Sequence, residues 1–394
     1  MDRTQATKLL TVLLDRLLAE GGSDLFITSG FAPAIKKDGG ITPLMERPLT
    51  AEQSALIVRS VMNDRQAREF DEFKECQFAI APPAGRFRVS AFVQQGHVGA
   101  VLRVINTDIP DFDDLGLPRV LKDVVMSERG LVIFAGATGS GKSTSLAAML
   151  GYRNANSAGH IITIEDPIEY VHPHNKSIVT QREVGVDTQS WENALKNTLR
   201  QAPNVILVGE VRTRETMEYA INFAETGHLV LCTLHANSAN QALDRIINFF
   251  DEAKREQVLM DLSLNMRAII AQRLVRRVGG GRAAAMEILL DTPLVSDMIF
   301  KGKVSQLKET MSRGNEQGMV TFDQYLYKLF EEGVIDFTEA MRHADSRNEL
   351  RLNIKLNSDR ARTDLRADSE VRSLSMRGDG TDDEDDDNEA DDER

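Results

Sequence analysis

The chain has 394 residues, of which 42% are hydrophobic and 27% charged, the proportions of a soluble globular protein long enough for two or three domains. Its formal charge of −13 is mostly local: residues 379–394 hold eleven carboxylates and one arginine, so residues 1–378 carry only about −3. That near balance leaves a polyanionic partner open. The two distant cysteines, Cys76 and Cys232, exclude a thiolate zinc site and point to a reducing compartment.

The leucine-rich start TKLLTVLLDRLLAEGG is cut by Lys8, Asp15, Arg16 and Glu20. It reads as an amphipathic helix ending at Gly21, not as a signal peptide. No apolar run approaches the length of a membrane span, so a cytosolic protein is expected. SDLFITSG and PAIKKDGGITPL read as short strands, and AEQSALIVRSVMNDRQAREF as one helix capped by Thr50. CQFAIAPPAGRFRVSAFVQQGHVGAVLRVI is hairpin-rich, with Arg86 and Arg88 alternating with Phe87 and Val89 at period two. Together these predict an α+β domain over residues 1–106. NTDIPDFDDLGLPRV, with Pro110, Gly116 and Pro118, is the linker candidate, residues 107–120.

From Leu131 strand and helix alternate. HIITIED, NVILVGE and HLVLCTLH read as strands, and WENALKNTLRQ, RETMEYAINFAET and NQALDRIINFF as helices. EQVLMDLSLNMRAIIAQRLVRR reads as a further helix, GGGRAAAMEILL as a turn and strand, and residues 293–344 as short helices. Such alternation predicts a mostly parallel sheet covered on both faces, an α/β domain over residues 121–357. Beyond it apolar residues thin out, and like charges packed as densely as those of DGTDDEDDDNEADDER predict a disordered tail over residues 358–394. A passive, solvating role is expected for that tail, since residues 1–378 show no basic excess to receive it.

Between the strand at Leu131 and the helix at Leu146 lies G-x-x-x-x-G-K-S. Its glycines let the N–H groups of residues 136–141 (Gly136, Ala137, Thr138, Gly139, Ser140, Gly141) curl around a phosphate at a helix N-terminus. Lys142 would reach the β- and γ-phosphates and Ser143 would ligate Mg²⁺. The strands that follow in such an enzyme end in carboxylates beside the γ-phosphate. NVILVGE delivers Glu210, suited to organising Mg²⁺ through water, although Gly209 stands where many such enzymes have Asp. IITIEDPIEY delivers Glu165, Asp166 and Glu169, with Pro167 turning Glu169 back as a candidate general base. His228 and His235 stand at the two ends of one strand, either as satisfied polar residues or as reporters of the γ-phosphate. Arg86, Arg88 and Arg103 are either sheet decoration or an arginine finger that closes on nucleotide held by another domain.

GATGSGKSTS, ITIEDPIEY, VTQREVG, ILVGEVR and ETGHLVLCTLHANSA, in this order and spacing, resemble the Walker A, Asp box, adjoining strand, Walker B and His box of type II/IV secretion ATPases. The resemblance runs from about Leu10 to Lys355 and is nearest to the pilus retraction branch, the PilT/PilU group, and within it to the PilU type. GGSDLFITSG, ALKNTLRQAPN, HANSANQALDRIINFF and RHADSRNELRLNIKL carry that finer likeness. The family has Gly at the position of Gly209. The resemblance implies a PAS-like N-terminal domain followed by a RecA-like ATPase domain in a homo-hexameric ring that uses ATP and Mg²⁺. It implies Lys142, Ser143 and Thr144 at phosphate and metal, Glu169 as base, Glu210 as the Walker B carboxylate and metal partner, and His228 and His235 as the His-box pair. Arg86, Arg88 and Arg103 would be nucleotide-sensing arginines.

The implied cargo is pilin, returned to the inner membrane as a pilus is dismantled in twitching motility. The implied place is cytoplasmic, peripheral at the inner-membrane pilus base, against a platform protein. PilT-like chains carry a motif near A-I-R-N-L-I-R-E where this chain has LVSDMIFK, residues 294–301, which implies work beside a PilT-type ATPase. The alternatives are a PilT-dependent accessory ring with little motor activity of its own and a nucleic-acid motor of RecA type. The second would need a basic channel with stacking aromatics. One Trp and 6% aromatics argue against it, so no nucleic acid is expected.

Overall fold

The computed structural model of the chain describes residues 1–37, 39–105, 108–314 and 317–360. Their backbone forms two sheets. The first has six antiparallel strands, β1 (Asp24–Ile27), β2 (Ala34–Lys37), β3 (Gly40–Pro43), β4 (Glu75–Ile80), β5 (Arg86–Gln94) and β6 (His97–Ile105), in the order β3-β2-β1-β6-β5-β4. It is covered by α1 (Arg3–Ala19), α2 (Ala51–Ser60) and α3 (Asp64–Phe73). In α1 the leucines at 10, 13, 14 and 17 form one buried stripe, the spacing of a helix packed on one side. In β5, Phe87 and Val89 are buried while Arg86 and Arg88, on the other face, are half-buried.

Residues 51–70 are two helices rather than the single helix expected. Asn63 accepts from the Gln66 N–H while the Gln66 side chain accepts from the Asn63 N–H. This reciprocal cap starts a new helix and outcompetes continuation of the old one.

The second sheet comprises β7 (Gly130–Ala135), β8 (Gly159–Glu165), β9 (Ser177–Glu183), β10 (Val205–Val208), β11 (Leu229–Leu234), β12 (Met266–Arg276) and β13 (Arg282–Leu290), ordered β13-β12-β7-β11-β10-β8-β9. Every neighbouring pair is parallel except β12 with β13. Around it lie α4 (Val120–Met126), α5 (Lys142–Asn156), α6 (Trp191–Thr198), α7 (Arg214–Glu225), α8 (Ala239–Asn248) and α9 (Arg255–Asn265). Five helices complete the described chain: α10 (Pro293–Phe300), α11 (Leu307–Arg313), α12 (Phe322–Glu331), α13 (Phe337–His343) and α14 (Arg347–Asn357). The alternation of β7 divides the core between the two faces. Leu131, Ile133 and Ala135 pack with Met217, Phe223 and Leu243, whereas Val132 and Phe134 pack with Met149, Leu150 and Leu326. Such a strand is apolar throughout because both faces are covered.

The helix expected over residues 256–277 ends at Asn265, and Met266–Arg276 is a central strand between β7 and β13. MRAIIAQRLVR is apolar enough to bury both faces, and in such runs periodicity does not separate helix from strand. Within the linker candidate, Phe112 and Leu117 are buried in the core of the second sheet, and the Phe112 ring lies 5.8 Å from that of Tyr152. Residues 106–107 and the acidic run lie outside the described residues. Ser358, Asp359 and Arg360, expected to begin the disordered tail, are held by Glu331: the Ser358 hydroxyl donates to its Oε2, and the Asp359 and Arg360 N–H groups to its Oε1.

Candidate nucleotide site

The C-terminal ends of the parallel strands β7, β8, β10 and β11 open on one cleft of about 500 Å³, the edge at which open α/β sheets bind ligands. Between β7 and α5 the chain turns through residues 136–141. A Cβ at Gly136 would lie 2.3 Å from Ser140 Oγ and 2.8 Å from the Gln272 carbonyl. At Gly141, with φ +87°, it would lie 2.7 Å from Gln272 Nε2. The backbone contact at Gly136 and the left-handed φ at Gly141 make glycine the fitting residue at both positions. Gln272, buried on β12, ties the turn down. Its Nε2 donates to the Ser140 carbonyl at 2.9 Å, and its Oε1 accepts from Ser145 Oγ at 2.8 Å. Sequence reasoning missed Gln272 because it sits in a segment read as helix, more than a hundred residues from the loop it braces.

Lys142 Nζ donates to the carbonyls of Gly136 (2.7 Å) and Ala137 (3.0 Å). Burial pushes its pKa down, and Glu210 acts the other way. Thr138 to Thr144 line the cleft, and Thr144 Oγ1 lies 3.0 Å from the Tyr170 hydroxyl.

Glu210 follows β10. Its Oε2 accepts from Arg212 Nη2 at 2.6 Å, and His235 Nε2 lies 2.8 Å from its Oε1 without a hydrogen-bonding angle, so buried Oε1 has no in-line donor. Burial raises the pKa of this carboxyl, but the Arg212 bond and charge, with His235 and Lys142, hold it below the usual value. Gly209 has a steric cause: a Cβ there would come within 3.0 Å of the Ile164 carbonyl and 3.1 Å of Glu165 Cα. A side chain there would press on the β8 backbone, which would have to yield by a few tenths of an ångström.

β8 ends at Glu165, the Asp166–Pro167 peptide is cis, and Glu169 returns exposed to the cleft. Two bonds hold this loop from behind. The Ile168 N–H donates to Glu183 Oε2 at 3.2 Å, and Gln181 Nε2 donates to the Tyr170 carbonyl at 2.9 Å. Burial pushes the Glu165 pKa up to about 7, against the hydrogen bonds from Thr163 and Gln181. A carboxyl whose folded pKa is raised binds the extra proton in the native state, so its contribution to stability falls as pH rises from about 4.5 through about 7. Glu165→Gln keeps the shape of the protonated acid. It is expected to melt with the wild type near pH 4 and above it near pH 8; parallel melting curves across this range would rule out a buried, protonated Glu165.

The cleft thus brings together residues 138–144, Glu169, Glu210 and His235. His228 is elsewhere. It precedes β11, at the opposite end from His235, with Nδ1 3.1 Å from both the Phe223 carbonyl and Thr226 Oγ1. Six strand residues separate the histidines, roughly 20 Å of rise. Arg86, Arg88 and Arg103 also lie outside the cleft, on the face of β5 and β6 opposite Phe87 and Val89. Arg88 stands opposite Arg103, which stands opposite Asp24 on β1. Arg103 Nε donates to Asp24 Oδ1 at 2.7 Å, while buried Arg86 Nε has no hydrogen-bond partner among the described residues. Arg212, Tyr170, His172 and Arg282 line the cleft as well and were not singled out in the sequence.

The donor set fits a magnesium nucleotide. A lysine folded back on loop carbonyls has its charge ready for phosphate, and Glu210 keeps one buried oxygen without a bonded donor. Among the described residues no helix is long and apolar enough to cross a membrane.

The family model of the type II/IV secretion system protein matches residues 2–355. The chain is 60% identical over 349 residues to the type IV pilus ATPase PilU of Pseudomonas aeruginosa, covering 88% of this chain and 91% of that one. It is 42% identical over 336 residues to the type IV pilus retraction ATPase PilT of the same organism, covering 85% and 98%. The crystal structure of the pilus retraction motor PilT with bound ADP superposes with a TM-score of 0.81 at 41% identity, over 86% of this chain and 97% of that one. The mixed α/β fold, with its RecA-like ATPase sheet, is that of PilT. With a phosphate loop, two cleft carboxylates and these likenesses together, the chain belongs to the type II/IV secretion ATPase family, as an ATP-hydrolysing enzyme homologous to PilT and PilU.

Proposed function

We propose that the protein is a hexameric motor of type IV pilus retraction that hydrolyses ATP with Mg²⁺ and works beside a PilT-type ATPase. The observation that carries this reading is the convergence of Glu169 and Glu210, from the ends of β8 and β10, on one phosphate loop. In it, residues 1–106 form a PAS-like domain, residues 107–120 a linker, residues 121–357 the RecA-like ATPase domain and residues 358–394 an acidic tail. The ring sits in the cytoplasm at the inner-membrane pilus base, against the platform protein.

The N–H groups of residues 136–141 hold the phosphates, and Lys142 exchanges its two carbonyl acceptors for phosphate oxygens. Ser143 and Glu210 would hold a Mg²⁺, which when bound would supply positive charge against that developing on the phosphate oxygens. Glu169 orients water and accepts its proton. Arg212 and His235 fix the Glu210 carboxylate, so His235 is placed to register phosphate occupancy through Glu210. Arg86, Arg88 and Arg103, on the first sheet, face a neighbouring nucleotide when the ring closes, and His228 stands before β11 of the second sheet, at the end away from the cleft.

Purified protein is expected to turn over ATP only with Mg²⁺ and to lose turnover in Lys142→Ala. In cells it is expected to support retraction only where a PilT-type ATPase is also present. Full retraction without that partner would remove the dependence, and absent turnover in the purified wild type, alone or with the partner, would favour the accessory-ring reading.

A further inference from the structure

The near-zero balance of residues 1–378 hides a local cation cluster made by the β12–β13 turn. Arg276 and Arg282 stand directly opposite each other in the ladder, an arrangement that like charges disfavour. Arg277 adds a third guanidinium at the tip, where its N–H donates to the Gly281 carbonyl and its carbonyl accepts from the Gly280 N–H. All three arginines are exposed, and none makes an ion pair among the described residues. Arg273, three residues earlier on β12, pairs with Asp345. Glu339 receives the Arg276 backbone N–H, but its carboxylate faces Arg342 and His343.

The end of the described chain lies beside this turn. The Val278 N–H donates to the Val334 carbonyl at 2.9 Å, and Arg360 Nη1 donates to the carbonyl of the next residue, Ile335, at 2.8 Å. The last described residue is therefore tied, through its side chain, to the segment that borders the arginine turn. Eighteen residues separate Arg360 from Asp379, a reach of up to about 60 Å when extended. Arg282 and Leu274, from the same hairpin, line the nucleotide cleft.

We propose that residues 379–394 of this chain dock on the β12–β13 hairpin at Arg276 and Arg277, at the mouth of the nucleotide cleft, and restrain ATP turnover. A segment of net charge −10 supplies the counter-charge that the opposed arginines lack. Placed there, it also competes with a triphosphate for the cationic edge of the cleft. This replaces the passive role expected from overall charge, because a sum over 378 residues does not report three arginines gathered by one hairpin.

The experiment uses a labelled peptide of residues 379–394 and the chain truncated after Arg377, with binding read by fluorescence anisotropy independently of any ATPase activity. The peptide is expected to bind at low salt and to release near 1 M, where the screening length shrinks to about 3 Å. R276A/R277A is expected to weaken binding by roughly tenfold, R276K/R277K to keep it, and a peptide with Asn and Gln for every Asp and Glu not to bind. In the full-length chain at low salt, truncation is expected to raise turnover. Unchanged binding by R276A/R277A, binding that persists near 1 M salt, or loss of binding in R276K/R277K as well would overturn the proposal, the last by tying the contact to hairpin shape rather than charge.

Discussion

Glu169→Gln is expected to lower ATP turnover by about 10²–10⁴, the usual cost of losing a general base, while nucleotide binding stays near wild type. The carboxylate is exposed in the cleft and accepts no hydrogen bond and makes no ion pair with another described residue, so its lone pairs are available to water. The loop that carries it does not depend on its charge. Glu183 receives the Ile168 N–H, Gln181 reaches the Tyr170 carbonyl, and the Tyr170 hydroxyl meets Thr144 on the phosphate-loop helix. Glutamine keeps the length and shape of the side chain, so a fall in turnover would be chemical rather than structural. The contrast is Glu210→Gln, which removes the negative charge from Arg212 and His235 and is expected to disturb nucleotide binding as well. Single-turnover hydrolysis beside nucleotide titration separates the two. Turnover close to wild type in Glu169→Gln would take the base role from this residue.

Legibility in the sequence followed the range of the interactions. The phosphate loop, the strand leading into it and the carboxylates after β8 and β10 were readable because each is written within about ten residues. The face of β5 was readable for the same reason, since Phe87 and Val89 alternate with Arg86 and Arg88. Gln272 was not readable: its meaning lies in Ser140 and Ser145, and only the pairing of β12 with β7 brings them together. The strand identity of MRAIIAQRLVR was hidden for a related reason, since a strand buried on both faces has no period of its own. The break at Asn63 was written locally, in the spacing of Asn63 and Gln66, yet lay within an otherwise helical run. Gly209 stands apart from these: its residue type was visible, but the steric reason for it is a backbone on another strand.

The remaining large effect concerns the first sheet. The triple variant R86A/R88A/R103A is expected to lower kcat by about 10³ or more, since a single supplied arginine is worth 10³–10⁵, with little change in nucleotide affinity. Cations gathered without local need motivate it. Arg88 and Arg103 are opposed across β5 and β6, a placement that costs stability, and Asp24 offsets only Arg103. Arg103→Ala alone would confound the measurement by leaving buried Asp24 without its guanidinium, so Arg88→Ala is the cleaner single change. A second route from these arginines to turnover must be separated from the first. Arg86 and Arg88 lie near enough to Glu183 to lower its pKa, which burial raises, and Glu183 braces the loop of Glu169. Glu183→Gln distinguishes the routes. If the arginines act on nucleotide held by a neighbouring subunit, Glu183→Gln retains most turnover and the triple variant does not. If they act by steadying the Glu169 loop, the two variants lose turnover alike. Normal hydrolysis in the triple variant would reduce the three arginines to sheet surface, since a transition-state contact worth even one-hundredth of a supplied finger would still be measured as roughly tenfold or more.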